Sequence, residues 1–105
     1  MTDCIFCRIA AGELPSRKVY EDDEILAFHD IHPAAPVHLL IIPRQHVDSL
    51  AHCEASHQAL LGKMLLLAPR LAADMGLKDG FKTTIHTGVA GGQVVFHLHI
   101  HVIGG

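Results

Sequence analysis

No stretch of the sequence is apolar for long enough to cross a membrane. The longest runs, Val37 to Ile42 and Met64 to Ala68, fall far short of the roughly 18 residues a span needs. The first residues include Asp3 and Arg8 and have no apolar core of a signal peptide. Positive charge is not in excess either. Eight Lys and Arg against eleven Asp and Glu leave a net charge of -3 with His neutral, which excludes the basic footprint of a nucleic-acid polymer binder. Cysteine is scarce and odd in number, three in all with two spaced C-x-x-C, so a disulfide framework is not expected. Repeats, low-complexity tracts and linkers are missing. The expectation is a soluble cytoplasmic protein, away from membranes, whose 105 residues and 50% apolar composition form one domain, 1–105, with a real core.

What the chain has in excess is histidine, ten residues. Three of them sit in His97-Leu98-His99-Ile100-His101-Val102-Ile103, where alternation with Leu, Ile and Val reads as a strand. Side chains two apart then share a face, roughly 6.6 Å from one another. Leu98, Ile100 and Val102 cover the core on the opposite face. A row of imidazoles is poor core material, and charging near pH 6.5 would set neighbours against each other. The stretch is therefore a functional candidate first.

Taken in order, Cys4 to Gly12 reads as a short helical turn stopped by glycine. Lys18 to Glu21 and Glu24 to Asp30 read as strands joined by the turn Asp22-Asp23. His32-Pro33-Ala34-Ala35-Pro36 is a stiff loop leading into the apolar strand Val37 to Ile42, which one polar residue, His38, interrupts. From about Ser49 to Met75 the pattern turns helical, with Leu60, Met64, Ala68, Leu71 and Met75 on one stripe. Pro69 is expected to kink or divide that helix near Leu65, and Gly76 to end it. Phe81 to His86 is a further strand, followed by the glycine-rich loop Thr87 to Gln93 and the histidine strand. The order β-β-β-α-β-β argues for an α+β fold with a mainly antiparallel sheet.

A glycine-rich loop running into three imidazoles places backbone donors beside groups that act as nucleophile or general acid and base at neutral pH. That suits phosphoryl or nucleotidyl transfer through a covalent histidine. A metal site using all three rings is the next reading, and a solvated histidine face with no role the third. Cys4-x-x-Cys7 lacks the βαβ setting of a redox motif. Zinc suits it better, although two unliganded thiols packed as small hydrophobes remain the alternative. Cys53, His52 and His57 carry no assigned chemistry, and His29 and His32 are expected on an exposed rim.

The motif at residues 97 to 103 resembles the signature of the histidine triad (HIT) superfamily. Cys4-Ile5-Phe6-Cys7, Phe28-His29-Asp30-Ile31, Ala35-Pro36-Val37-His38, Ile42-Pro43-Arg44-Gln45-His46, Gly91-Gly92-Gln93 and the final His101-Val102-Ile103-Gly104-Gly105 are similar to its nucleotide-binding (HINT) branch. The resemblance implies a HIT-like fold: a mainly antiparallel five-stranded sheet with one long helix and a short N-terminal helix, the sheet continuing across a homodimer. It implies hydrolysis of purine nucleoside 5′-phosphoramidates at the P–N bond, with purine preference carried by the family and no cofactor needed for the chemistry.

By the same resemblance His99 is the nucleophile, His101 and His38 hold phosphate oxygens, and Gln93 lies near the leaving group. Gly92 and Val94 supply a backbone cradle, and Asp30 takes the ribose hydroxyls, a role that suits a carboxylate. Ile5, Phe6, Ile9, Phe28, Ile31 and Leu40 form the pocket for the base. Members with this CxxC complete a structural zinc site with the histidines that correspond to His46 and His97, giving Cys4, Cys7, His46 and His97.

Two departures stand out. His86 occupies the place of a family asparagine, in a chain that has no asparagine at all. Val94 stands where a serine is frequent, so one hydroxyl is lost. Relatives often continue beyond the position of Gly105 into a tail that reaches the partner subunit's site, and any specificity from that tail is expected either to be missing or to have been cut from this chain. Rival readings are a dinucleoside polyphosphate hydrolase of the same superfamily, a nucleotide-sensing module with weak catalysis and, last, a zinc-structured interaction protein.

Overall fold

Alternate residues of the two most apolar stretches go to opposite faces of one sheet, and both faces are covered. In a computed structural model that describes residues 3–105, β1 (Lys18–Glu21), β2 (Ile25–His29), β3 (Val37–Pro43), β4 (Lys82–Thr84) and β5 (Ile100–Gly104) form an antiparallel sheet in the order β1-β2-β3-β5-β4. Ile25, Ala27, Leu39, Ile41, Ile100 and Val102 meet the long helix α2 (Gln58–Asp74) through Met64, Leu67, Ala68 and Leu71. Leu26, Phe28, Leu40 and Ile42 turn the other way, onto Phe6 and Ile9 of the short helix α1 (Ile5–Ala10). Coverage on both sides explains why β2 and β3 are buried nearly throughout. The expected α+β architecture is present, with one long helix and one short N-terminal helix. No described helix is long and apolar enough to cross a membrane.

Besides β4, which is Lys82–Thr84 rather than Phe81 to His86, the histidine strand and the long helix differ from expectation. The histidine strand enters the ladder only at Ile100, not at His97. Pro43 ends β3, and continuing the register would place it opposite Leu98, where it has no N–H to donate. The Leu98 amide bonds instead to the Val47 carbonyl at 2.7 Å, so residues 97–99 lead into β5 without being part of a strand. The helix expected from Ser49 begins at Gln58, after two single 3₁₀ turns at Leu50–His52 and Ala55–His57. Cys53 and Glu54 between them are extended. Once begun, α2 continues through Pro69. Both Pro69 and Leu65, whose carbonyl loses its partner, are exposed, so water replaces the missing bond. The helix stops at Met75 and Gly76, whose φ of 80° closes the last turn.

Arg44 ties the site face together. Its guanidinium donates to the Ala10 carbonyl at the end of α1, to the Asp22 carbonyl in the β1–β2 turn, and to Glu21. One side chain thereby docks α1 onto the sheet edge.

Candidate active site and metal centre

The proton positions on the site histidines follow from their partners. The Ala34 amide donates to His38 Nδ1 at 3.0 Å, so that nitrogen holds a lone pair and Nε2 carries the hydrogen. His38 Nε2 then donates to His101 Nδ1 at 2.9 Å, with the Asp30 carboxylate 3.4 Å away. His101 is left with its hydrogen on Nε2. That atom is sealed from water and has no partner among the described residues, an arrangement native proteins keep where a ligand is to come. His99 is oriented in the opposite sense. Its Nδ1 donates to the His97 carbonyl at 2.7 Å, which leaves the lone pair on Nε2.

Burial is the main cause that holds the proton affinity of His99 and His101 down. It lowers the pKa of His99, with His86 adding to the effect. It lowers His101 further, to about 4, helped by repulsion from His99, His38 and His86 and opposed by Asp30. Neutral imidazoles with fixed tautomers result. The rings stack closely, His99 to His101 T-shaped at 5.0 Å and His86 to His101 tilted at 4.9 Å between centroids.

The glycine loop is closed by Gln93, which is buried. Its Oε1 accepts from the Gly88 amide, and its Nε2 donates to the Asp48 and Val95 carbonyls. Every polar atom of the side chain is committed to shaping the loop, a duty its sequence position did not announce. Gly91 lies against Thr87, where a Cβ would meet the carbonyl oxygen at 2.2 Å. Gly92 has a φ of 85° and packs near His86. Both glycines are there because larger residues do not fit the turn.

These elements enclose a cleft of about 400 Å³ lined by Phe6, Leu40, His99 and His101, with His86, Gly92, Val94 and Asp30 along its sides. Ile31 stands exposed at its mouth beside His32. Of the apolar residues expected around a base, Phe6 and Leu40 line the cleft. Ile9 and Phe28 lie in the core behind it, where the Phe28 ring supports Phe6 edge-on at 5.6 Å. Ile5 is exposed and faces an adjoining cleft with Val94 and Phe96. Val95, which sequence reasoning passed over, lines the main cleft. So did the role of the Ala34 amide escape it, because nothing in an Ala-Ala-Pro loop marks a particular N–H. His29 is half-buried rather than exposed and lines a separate cavity.

Cys4, Cys7, His46 and His97 converge although they come from α1, the β3 exit and the segment before β5. Their ligand atoms all lie within 4.8 Å of one another. Cys4 Sγ is 3.3 Å from His97 Nδ1, and Cys7 Sγ is 3.2 Å and 3.4 Å from His46 Nδ1 and His97 Nδ1. A tetrahedral zinc with the usual bond lengths sets sulfur and nitrogen about 3.5 Å apart. The far nitrogens have acceptors: His97 Nε2 donates to the Pro43 carbonyl at 2.8 Å and His46 Nε2 to Asp48 at 2.6 Å. This leaves both Nδ1 lone pairs directed at the thiols, the outer-shell pattern of metal-binding histidines. The set fits a closed Cys2His2 site. Asp30, His38 and His101 are also close enough to share an ion. They suit one poorly, because the Ala34 amide keeps the hydrogen of His38 on the nitrogen that faces the other two.

Residues 11–105 match the family model described as HIT domain. The chain belongs to the HIT domain family. Protein HitA of Neisseria gonorrhoeae is 62% identical over 104 residues, covering 99% of this chain and 97% of that protein. A HIT family hydrolase from Legionella pneumophila Philadelphia 1 has the same fold with a TM-score of 0.95 and 43% identity, over 98% of this chain and 93% of that one. A histidine triad nucleotide-binding protein from Candida albicans matches with a TM-score of 0.85 and 33% identity, over 95% and 73%. In this HIT chain α1 and the Cys4-x-x-Cys7 pair precede the matched residues, so the cysteine and histidine cluster joins an element outside the family match to the triad inside it.

Proposed function

We propose that the protein is a nucleoside phosphoramidase of the HINT branch, cleaving the P–N bond of purine nucleoside 5′-phosphoramidates. The observation that carries this reading is the opposed pair of tautomers: a lone pair on His99 Nε2 beside an unpartnered N–H on His101 Nε2, at one cleft. A nucleophile and a donor for a phosphate oxygen are what displacement at phosphorus needs. His99 attacks the α-phosphorus, and the P–N pair leaves with the amine, which takes a proton from water. A second water then attacks phosphorus and breaks the bond to Nε2. The proton it loses balances the one taken by the amine, and the nucleoside monophosphate departs.

His101 and His38 hold the phosphate through the N–H that His38 fixes, and the Gly92 and Val94 amides cradle it. Gln93 keeps those amides in place. Phe6 and Leu40 take the base face and Asp30 the ribose. The Cys2His2 set would hold a structural zinc. With four protein ligands it has no open position for chemistry, and its effect is to anchor α1, hence Phe6, against His99. The rings of Phe6 and His99 meet edge-on at 5.1 Å. The open edge of β4 and the exposed Leu65 and Leu66 on α2 support assembly as a homodimer.

The test is single-turnover hydrolysis of an adenosine 5′-phosphoramidate bearing a fluorogenic amine, compared with His99→Ala and followed by mass analysis for nucleotidylated protein. Turnover and a transient adduct are expected only in the unmodified protein. AMP binding without turnover above the variant would leave a nucleotide-sensing module instead.

A further inference from the structure

Beside the cleft lies a second cavity of about 470 Å³ that the chemistry above does not use. Asp30 and Ile31 wall both spaces. The other side of the cavity presents Ser16, Arg17 and His29, held between Pro15 and Pro33.

Three features of this lining point to an anionic ligand. The Arg17 guanidinium pairs with no carboxylate among the described residues, although the other cations near the β1 edge, Lys18, Arg44 and Lys63, each have one. Ser16 Oγ is sealed from water and has no hydrogen-bond partner among the described residues. His29 is half-buried close enough to Arg17 that, after burial itself, the guanidinium charge is what disfavours its protonation. An arginine at the edge of such a space recognises phosphate through its guanidinium fork, and Ser16, whose Oγ is buried in the same wall, adds an O–H bond when its side chain turns outward. The Asp30 carboxylate is the opposing charge. Its Oδ1 accepts from the His32 amide at 2.8 Å and its Oδ2 faces His38 at 3.4 Å, so donors already offset it on the cleft side.

We infer that this cavity is a subsite for a phosphate borne on the 2′ or 3′ oxygen of the bound nucleotide's ribose, so that nucleoside bisphosphates are a ligand class of this protein. The inference rests on the nucleotide reading of the cleft, because the residue assigned to the ribose, Asp30, is the wall between the two spaces. A phosphate on the ribose edge is then the anion that reaches Arg17 while the 5′ end stays at His99.

Calorimetric titration with AMP, adenosine 3′,5′-bisphosphate and adenosine 2′,5′-bisphosphate tests this on the protein, Arg17→Gln and Ser16→Ala. One bisphosphate is expected to bind about two- to fivefold more tightly than AMP, the scale of one partly exposed ion pair. Arg17→Gln should remove most of that gain and leave AMP affinity unchanged. The backbone carbonyl of Arg17, which accepts from the His29 amide, is untouched by the substitution. Bisphosphates no tighter than AMP, or a gain that survives both substitutions, would overturn the subsite while leaving the nucleotide reading intact. Failure of AMP itself to bind would remove the nucleotide reading, and the subsite with it.

Discussion

His38 Nε2 sits 2.9 Å from Nδ1 of His101, and the first ring dictates the tautomer of the second. Truncating His38 removes more than one contact. It leaves the Ala34 amide without its acceptor and frees the His101 hydrogen to settle on either nitrogen. Under the proposed mechanism, His38→Ala should lower kcat by about 100-fold or more, the scale of losing one donor to a developing oxyanion. KM should change little. His38→Gln, whose amide can place an N–H near the same point, should recover part of the rate. Equal losses in the two variants would mean that His38 serves packing alone.

Stability should fall on the acid side of neutrality. His101 has a pKa of about 4 in the folded protein against an ordinary value near 6.5. Between those values the unfolded chain binds a proton that the folded chain refuses, so stability rises with pH and is lost as pH falls from 6.5 toward 4. Each pH unit in that window costs up to about 1.4 kcal/mol for one such proton. The groups facing His101 are His38, His86, His99 and the Asp30 carboxylate, and only the last favours the charged ring. Denaturant midpoints measured from pH 7 to pH 4.5 should therefore decline, and His101→Gln should flatten the slope. A slope unchanged in that variant would place the titration elsewhere.

Much of this architecture was legible because alternation survives burial. Leu98, Ile100 and Val102 do pack on the helix side, and Met64, Ala68 and Leu71 form the buried stripe of α2. What escaped depended on events distant in sequence. The start of β5 is set by a proline at position 43, across the ladder. The commitment of Gln93 to Gly88, Asp48 and Val95 is invisible until those three carbonyls and amides are brought together. Pro69 forces a break only if it and the Leu65 carbonyl it leaves unpaired are buried, and here both residues are exposed. Ile9 and Phe28 pack in the same cluster as Phe6 and Leu40, so which of the four reaches the cleft is set by where α1 sits on the sheet, under Arg44.

The cysteine and histidine cluster should bind one zinc per chain. Because His46 and His97 already present unprotonated Nδ1 atoms, the protons released on binding should come from the two thiols. Cys7→Ser should lose the metal and lower Tm by about 5 °C or more, since 1 kcal/mol is worth about 4–8 °C in a domain of this size. Metal analysis together with thermal unfolding in the presence and absence of a chelator reads both effects. A full-length chain that is pure, unoxidised and equally stable with and without zinc would contradict the assignment.

One substitution, glycine to alanine, should act with opposite signs at two positions. Gly62 lies exposed within α2, and a methyl group added there would have nothing within 4 Å. Alanine at this position removes backbone freedom from the unfolded chain and should stabilise the protein by up to about 1 kcal/mol. At Gly91 the same methyl would meet the Thr87 carbonyl oxygen at 2.2 Å, a backbone atom that cannot rotate away. Relief requires opening the loop in which the Gly91 and Gln93 amides both bond to the Gly88 carbonyl. Gly91→Ala should therefore destabilise by about 1–3 kcal/mol, and it should weaken AMP binding beyond what the stability loss explains, because the Gly92 and Val94 amides proposed to hold phosphate are the chain neighbours of the displaced ones. Parallel denaturation and AMP titration of the two variants separate the effects: lost stability with AMP affinity unchanged in Gly91→Ala would remove the loop from the nucleotide site.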